Sequence, residues 1–262
     1  MNIAVCAKVA PDTTAQIKTK ADGTGIDRAG IKWSVSAYDE FAIEEAVALK
    51  EKKKADKVSI FTIGDDEAVN ALRPGGLARG ADDMVVCGDP AVMGGDSLTI
   101  ARALAAMVKA DAGIQLVLCG KQAIDDDNVQ VPAMLAELLG WAQVSFVCKF
   151  ELDGTTFKAT RNVGGGVQEV VQGNLPVVIT CDKGMNTPRY PKLPDIMKAK
   201  SKPVAQKKAG DLGLSAADLA PAVVVSNYQP PAARPKGRQL TGDAAAQVKE
   251  LVRLLREEAK VI

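Results

Sequence analysis

The sequence contains no histidine in 262 residues. That excludes a Ser-His-Asp triad, a Cys-His dyad, an HExxH zinc site and a histidine proton relay. Any chemistry must come from Lys, Asp or Cys, or arrive with a cofactor. Charge of one sign is also missing: 33 Lys and Arg against 32 Asp and Glu leave +1. No global field favours nucleic acid or an anionic membrane. No apolar run reaches the roughly 18 residues a membrane span needs. The five cysteines, Cys6, Cys87, Cys119, Cys148 and Cys181, form no CxxC pair. Their odd number and apolar settings predict buried, reduced thiols of a cytosolic type. Met1 to Cys6 lacks a basic n-region, so no signal peptide is read there and a cytoplasmic protein is expected. No Gly-x-Gly-x-x-Gly follows the first apolar run. Gly120-Lys121 lacks both the upstream glycine and the following Ser or Thr of a P-loop.

What is present is an alternation. Ile3 to Val9, Val58 to Ile63, Met84 to Cys87, Ile114 to Cys119 and Val177 to Cys181 are continuous apolar runs. Parallel strands covered on both faces read this way. Between them lie helical periods. One starts near Ser36, which can cap with Asp39, and carries Ala42, Ile43, Ala46, Val47 and Leu49. A second starts near Asp96, carries Ile100, Ala103, Leu104, Met107 and Val108, and ends at Gly113. A third spans about Asn128 to Leu139, with Pro132 in its first turns. Glu67 to Arg79 looks helical but should break at Arg73-Pro74-Gly75-Gly76. The alternation predicts an α/β fold: an open, mainly parallel sheet of the Rossmann-like type with helices on both faces. Two hairpin insertions should decorate it, Ile17 to Trp33 and Val144 to Val171. Asp182 to Pro203 shows no periodicity. Gln229 to Lys236, with Pro230, Pro231 and Pro235, predicts an extended arm, and a final helix from about Asp243 carries Val248, Leu251, Val252 and Leu255.

Two segments carry candidate function. Gly120-Lys121-Gln122-Ala123-Ile124-Asp125-Asp126-Asp127-Asn128-Val129-Gln130-Val131 leads from the fourth strand into a helix. Ligands bind outside the carboxyl ends of strands in such sheets, and free N–H groups at a helix start can hold phosphate. The other reading is that Asp125 to Asp127 only complement the helix dipole. Three carboxylates would repel a phosphate unless they turn away from it or bind ribose hydroxyls. The second segment is Met185 to Lys200. Pro188, Pro191 and Pro194 stiffen it around Leu193. A stiff loop presenting one aliphatic side chain loses little entropy on docking. Equally, Leu193 can fold back onto its own core.

Four stretches taken together resemble the beta subunit of electron transfer flavoproteins along essentially the whole chain. They are Ala21-Asp22-Gly23-Thr24-Gly25-Ile26-Asp27, Tyr38 to Val47, Gly120 to Asp127, and Pro188-Arg189-Tyr190 with Leu193 to Lys200. The resemblance implies a heterodimer with an alpha subunit. It implies electrons taken from acyl-CoA and related flavin dehydrogenases and passed to a membrane quinone oxidoreductase, without catalysis by this chain. FAD would lie mainly on the alpha subunit, and AMP would be held structurally in this chain. By position, AMP would meet Cys6, Ser36, Ala37, Tyr38, Asp39, Ile63 and the run Gly120, Lys121, Gln122, Ala123, Ile124, Asp125, Asp126, Asp127, Asn128, Val129, Gln130, Val131. Partner recognition would fall on Pro188, Arg189, Tyr190, Leu193, Pro194, Ile196 and Met197. Residues 1–228 would form the nucleotide-binding unit, with the recognition loop at 182–203. Residues 229–262 would embrace the alpha subunit.

The departures are specific. Val129-Gln130-Val131-Pro132 replaces the family's Asn-Gln-Thr-Gly, so a threonine hydroxyl is lost and Pro132 offers no N–H. Asn162-Val163-Gly164-Gly165-Gly166 lacks the acidic residue usual before a glycine pair. Pro11-Asp12-Thr13 resembles the electron-bifurcating branch, whose beta subunit binds a second FAD, whereas Asp126 and the Leu193 loop resemble the conventional branch. The conventional form is the expectation. Two alternatives remain: a free-standing enzyme or sensor using Lys121 and Asp125 to Asp127 on Mg-ATP, and a structural partner that has lost its nucleotide.

Overall fold

A computed structural model describes residues 1–234 and 236–262. Pro235 of the predicted arm lies outside the described residues. In chain order the strands are β1 (Asn2–Cys6), β2 (Val9–Pro11), β3 (Lys18–Thr19), β4 (Ile26–Asp27), β5 (Trp33–Val35), β6 (Lys57–Ile63), β7 (Asp83–Cys87), β8 (Ile114–Gly120), β9 (Ala142–Asp153), β10 (Thr156–Gly164), β11 (Val167–Asn174), β12 (Val177–Cys181) and β13 (Val204–Lys207). The helices are α1 (Ala37–Glu51), α2 (Asp66–Gly75), α3 (Pro90–Met93), α4 (Ser97–Lys109), α5 (Val131–Leu139), α6 (Leu193–Ala199), α7 (Ala216–Leu219) and α8 (Ala244–Arg253).

Nine strands form one sheet in the order β11-β10-β9-β12-β8-β1-β6-β7-β13. Among the described residues only β10 runs against the rest. The five apolar runs are its central strands, and their side chains alternate between two cores. Ile3 and Val5 of β1 face α1 and α2, whose Ala42, Ile43, Ala46, Val69 and Leu72 share one cluster. Ala4 and Cys6 face α4 and α5, whose Leu104, Met107, Val108 and Leu135 share the other. Continuous apolar strands are the direct consequence of this double cover. The chain moves from β1 outward through β6 and β7, then returns to lay β8 and β12 on the other side of β1. The order reverses between β1 and β8, which makes their carboxyl ends the topological switch point.

Several expectations are corrected. The first run stops at Cys6, because Lys8 leaves the sheet to meet Asp39; Val9 to Pro11 pairs instead with β5 in a separate ribbon. The 144–171 insertion does not decorate the sheet but extends it, since β9 pairs parallel with β12. The 17–33 insertion is a short ribbon, β3 with β4. The third helix starts at Val131, not Asn128. Asp182 to Pro203, read as aperiodic, contains α6, with Pro194 in its first turn. The break after α2 falls at Gly76, and a 3-10 turn, Leu77–Arg79, follows. Four cysteines are buried and Cys148 is partly exposed; all five are free. No described helix is long and apolar enough to cross a membrane.

Candidate functional site

The switch point is built around Asp39. Its carboxylate lies in the first turn of α1 and is only 6% exposed. Oδ2 accepts the Lys8 N–H at 2.8 Å, and Oδ1 accepts the Gly120 N–H at 2.7 Å. One side chain thus joins the carboxyl ends of β1 and β8 to the start of α1. Burial pushes its pKa up to about 7, against the two backbone hydrogen bonds, which favour the charged form. The joint requires glycine at 120. A Cβ there would lie 2.4 Å from Asp39 Oδ1 and 2.8 Å from the Asp39 backbone nitrogen.

The cap of α1 that the sequence suggests, Ser36 with Asp39 reciprocating, does not form. Ser36 makes no side-chain cap, and its fully buried Oγ has no hydrogen-bond partner among the described residues. Asp39 serves the strand ends instead. α5 also begins without a side-chain cap, and Pro132 in its first turn has no N–H. Helix starts left open in this way present donors to an anion.

The acidic turn is gathered by Lys8, the residue whose N–H also meets Asp39. Lys8 Nζ reaches Asp125 at 2.8 Å and Asp126 at 3.0 Å. Burial works against the Lys8 charge, but the hydrogen bonds and charges of these two carboxylates outweigh it and raise the pKa. Asp127 accepts Gln122 Nε2 at 2.6 Å. The turn is strained: Asp127 and the β-branched Val129 have φ of 51° and 57°. The three carboxylates lie outside the first turn of α5 and pair with Lys8 and Gln122.

Lys121 does not point to an open phosphate position. Its ammonium lies 2.9 Å from Asp182 and 4.7 Å from the Tyr38 ring centroid. Burial alone would raise the Asp182 pKa; hydrogen bonds from Lys121, Asn162 and the Lys183 N–H outweigh it and lower it. Cys6, Ile63 and Gly120 end β1, β6 and β8, and Val131 opens α5. Ala37 and Tyr38 lie in the first turn of α1, while Ala123, Ile124, Asn128 and Gln130 stay in the connecting loop. The residues expected to hold a nucleotide thus lie at or just beyond the strand ends and at the starts of α1 and α5. Sequence reading missed Lys8 and Asp182, the partners of the acidic turn and of Lys121. A basic residue two positions beyond the first strand is the signal that could have found Lys8.

The second site is the loop carrying α6. Tyr190 is 92% exposed and Leu193 73%, and Met197 is also exposed. Leu193 does not fold back onto the core. Pro188 and Pro194 flank these side chains, but Ile196 packs against the core and Arg189 turns inward onto Glu44 and Glu51 of α1. Two open grooves, of about 520 and 660 Å³, adjoin the loop and share Arg79 and Pro191. Neither is lined by Cys6, Lys8, Ser36, Asp39 or Gly120.

Comparison with known proteins places this geometry in a family. The electron transfer flavoprotein domain matches residues 23–212. The chain is 39% identical to a protein of Bradyrhizobium diazoefficiens and 39% identical to one of Bacillus subtilis, each over all of both chains. It is 38% identical to one of Bos taurus, over 95% of this chain and 97% of that one. Each of the three is named electron transfer flavoprotein subunit beta. The chain belongs to the electron transfer flavoprotein beta-subunit family.

Proposed function

We propose that this chain is the nucleotide-holding, partner-docking half of a conventional electron transfer flavoprotein. It pairs with an alpha subunit that carries most of the FAD. It accepts electrons from acyl-CoA and other flavin dehydrogenases and delivers them towards a membrane quinone oxidoreductase. One AMP sits structurally at the switch point. The flavin supplies the redox chemistry; the residues of this chain bind, orient and enclose, in keeping with the absence of histidine.

The observation that carries the nucleotide reading is the arrangement around Asp39. Among the described residues the buried Ser36 hydroxyl has no partner, α1 and α5 start without a side-chain cap, and Lys8 pairs with Asp125 and Asp126. These features suit a phosphate met by backbone N–H groups, with the charge of the neighbouring carboxylates offset by Lys8. The same geometry disfavours the free-standing ATP reading, because Lys121 is engaged by Asp182. Exposed Leu193, Tyr190 and Met197 support the docking reading. The exposed stripe Val248, Leu251 and Val252 on α8 supports a partner subunit along the carboxyl-terminal arm.

The test strips nucleotide from the co-purified subunit pair and adds AMP back. At about 100 times Kd, a ligand bound only by the native state stabilises by about 2.7 kcal/mol. A raised Tm with AMP, and none with inorganic phosphate at the same concentration, is expected. A Tm unmoved by AMP would reject the AMP site.

A further inference from the structure

We propose that Arg189 is a positioning residue, one that sets the docking loop on α1 and does not itself touch a partner. The inference rests on the reading of the Leu193 loop as a docking element and adds how that element is held. Glu44 is buried on α1, and a buried carboxylate needs a compensating cation. Arg189 supplies it completely. Nε lies 3.1 and 3.0 Å from the two Glu44 oxygens, Nη2 lies 2.8 Å from Oε1, and the Arg189 backbone N–H donates to Oε2 at 3.1 Å. The far side of the same guanidinium takes Glu51, with Nη1 at 2.6 Å and Nη2 at 2.9 Å. Positions 44 and 51 are two helical turns apart and so lie on one face. All three guanidinium nitrogens are therefore engaged within the chain, which leaves one Nη1 N–H at most for anything outside it.

The loop is fastened at both ends. Upstream, Asn186 Nδ2 donates to the Phe41 carbonyl at 3.0 Å and to Glu45 at 3.1 Å. Downstream, Arg73 Nη1 donates to the Ala199 and Lys200 carbonyls that end α6, at 2.9 and 3.2 Å. Lys202 Nζ donates to the Leu77 and Ala81 carbonyls at 2.9 and 2.5 Å. Between these fastenings Tyr190, Leu193 and Met197 stand out as large exposed apolar side chains. A loop held in its docking shape before the encounter loses less entropy in it. The helix that holds the loop through Glu44 and Glu51 is the one whose first turn carries Asp39.

The experiment uses this chain co-expressed with its alpha subunit and a donor flavin dehydrogenase. Arg189→Gln, Arg189→Lys and Leu193→Ala are compared by KM for the subunit pair, kcat, FAD content and hydrogen exchange. Arg189→Gln is expected to raise KM about tenfold with kcat within about twofold, because orientation of the docking surface is lost and the redox step is not. Exchange should quicken across residues 186–192 but not in β1 or β8. Arg189→Lys should behave like Arg189→Gln, since a point charge cannot replace a fork bonded to two carboxylates. Should Arg189→Gln fail to fold, Glu51→Gln asks the same question from the surface, with a rise of about threefold in KM expected. Unchanged KM and unchanged exchange in the Arg189 or Glu51 variants, with KM raised by Leu193→Ala, would overturn the positioning role alone. An unchanged KM in Leu193→Ala would overturn the docking reading and the positioning role with it.

Discussion

Replacing Asp39 with asparagine probes the joint that the whole switch point depends on. The native carboxylate accepts two backbone N–H groups, at 2.7 and 2.8 Å. An amide can accept only one of them and turns its NH2 towards the other. The lost bond and the opposed donor cost about 1–3 kcal/mol. The pH dependence is the sharper signature. The folded pKa is about 7, against 3.8 ordinarily, with burial the main cause. Between about pH 4 and pH 7 the folded chain keeps a proton that the unfolded chain has released, so stability falls as pH rises through that window and stays low above it. At about 1.36 kcal/mol per pKa unit, the loss between pH 5 and pH 8 is about 2–3 kcal/mol. Asparagine cannot titrate, so this loss is absent from the variant. The assay is thermal unfolding of the subunit pair at one protein concentration from pH 5 to pH 8. The stability gap between wild type and Asp39→Asn should narrow as pH rises. A constant or widening gap would refute the buried, neutral-prone carboxylate.

Other outcomes follow from the same geometry. Gly120→Ala places a methyl 2.4 Å from Asp39 Oδ1 and against backbone, so it should destabilise by more than about 2 kcal/mol in chemical unfolding of the pair. Lys8→Met frees Asp125 and Asp126, which should lower AMP retention through gel filtration while leaving FAD content unchanged. Leu193→Ala removes an exposed side chain and should slow electron acceptance from dehydrogenases with FAD and Tm unchanged; equal loss of all three would make the loop structural.

The central strands were legible because burial on both faces writes itself as unbroken apolar runs, and α1 and α4 because their stripes face the cores. The hairpin insertion was legible as strands but not as part of the main sheet. Its place depends on β9 meeting β12 in register, which no local pattern records. The three prolines around Leu193 read as loop, yet Pro194 opens a helix of only seven residues, too short to show a period. Asp39 is visible in the sequence as a first-turn acid, but its joining of two strand ends is not. Its partners are 31 and 81 positions away, so only the folded sheet brings them together. Lys8, Glu44 and Glu51 escaped for the same reason: each acts across the fold, on groups that sequence order keeps apart.

The central claim is that one structural AMP occupies the switch point while a single FAD serves the redox chemistry. The most direct test co-purifies this chain with its alpha subunit, denatures the complex and quantifies the released nucleotides by chromatography. One FAD and one AMP per heterodimer is the predicted result. Two FAD, which would move the protein to the bifurcating branch suggested by Pro11-Asp12-Thr13, or one FAD with no adenylate, would contradict it.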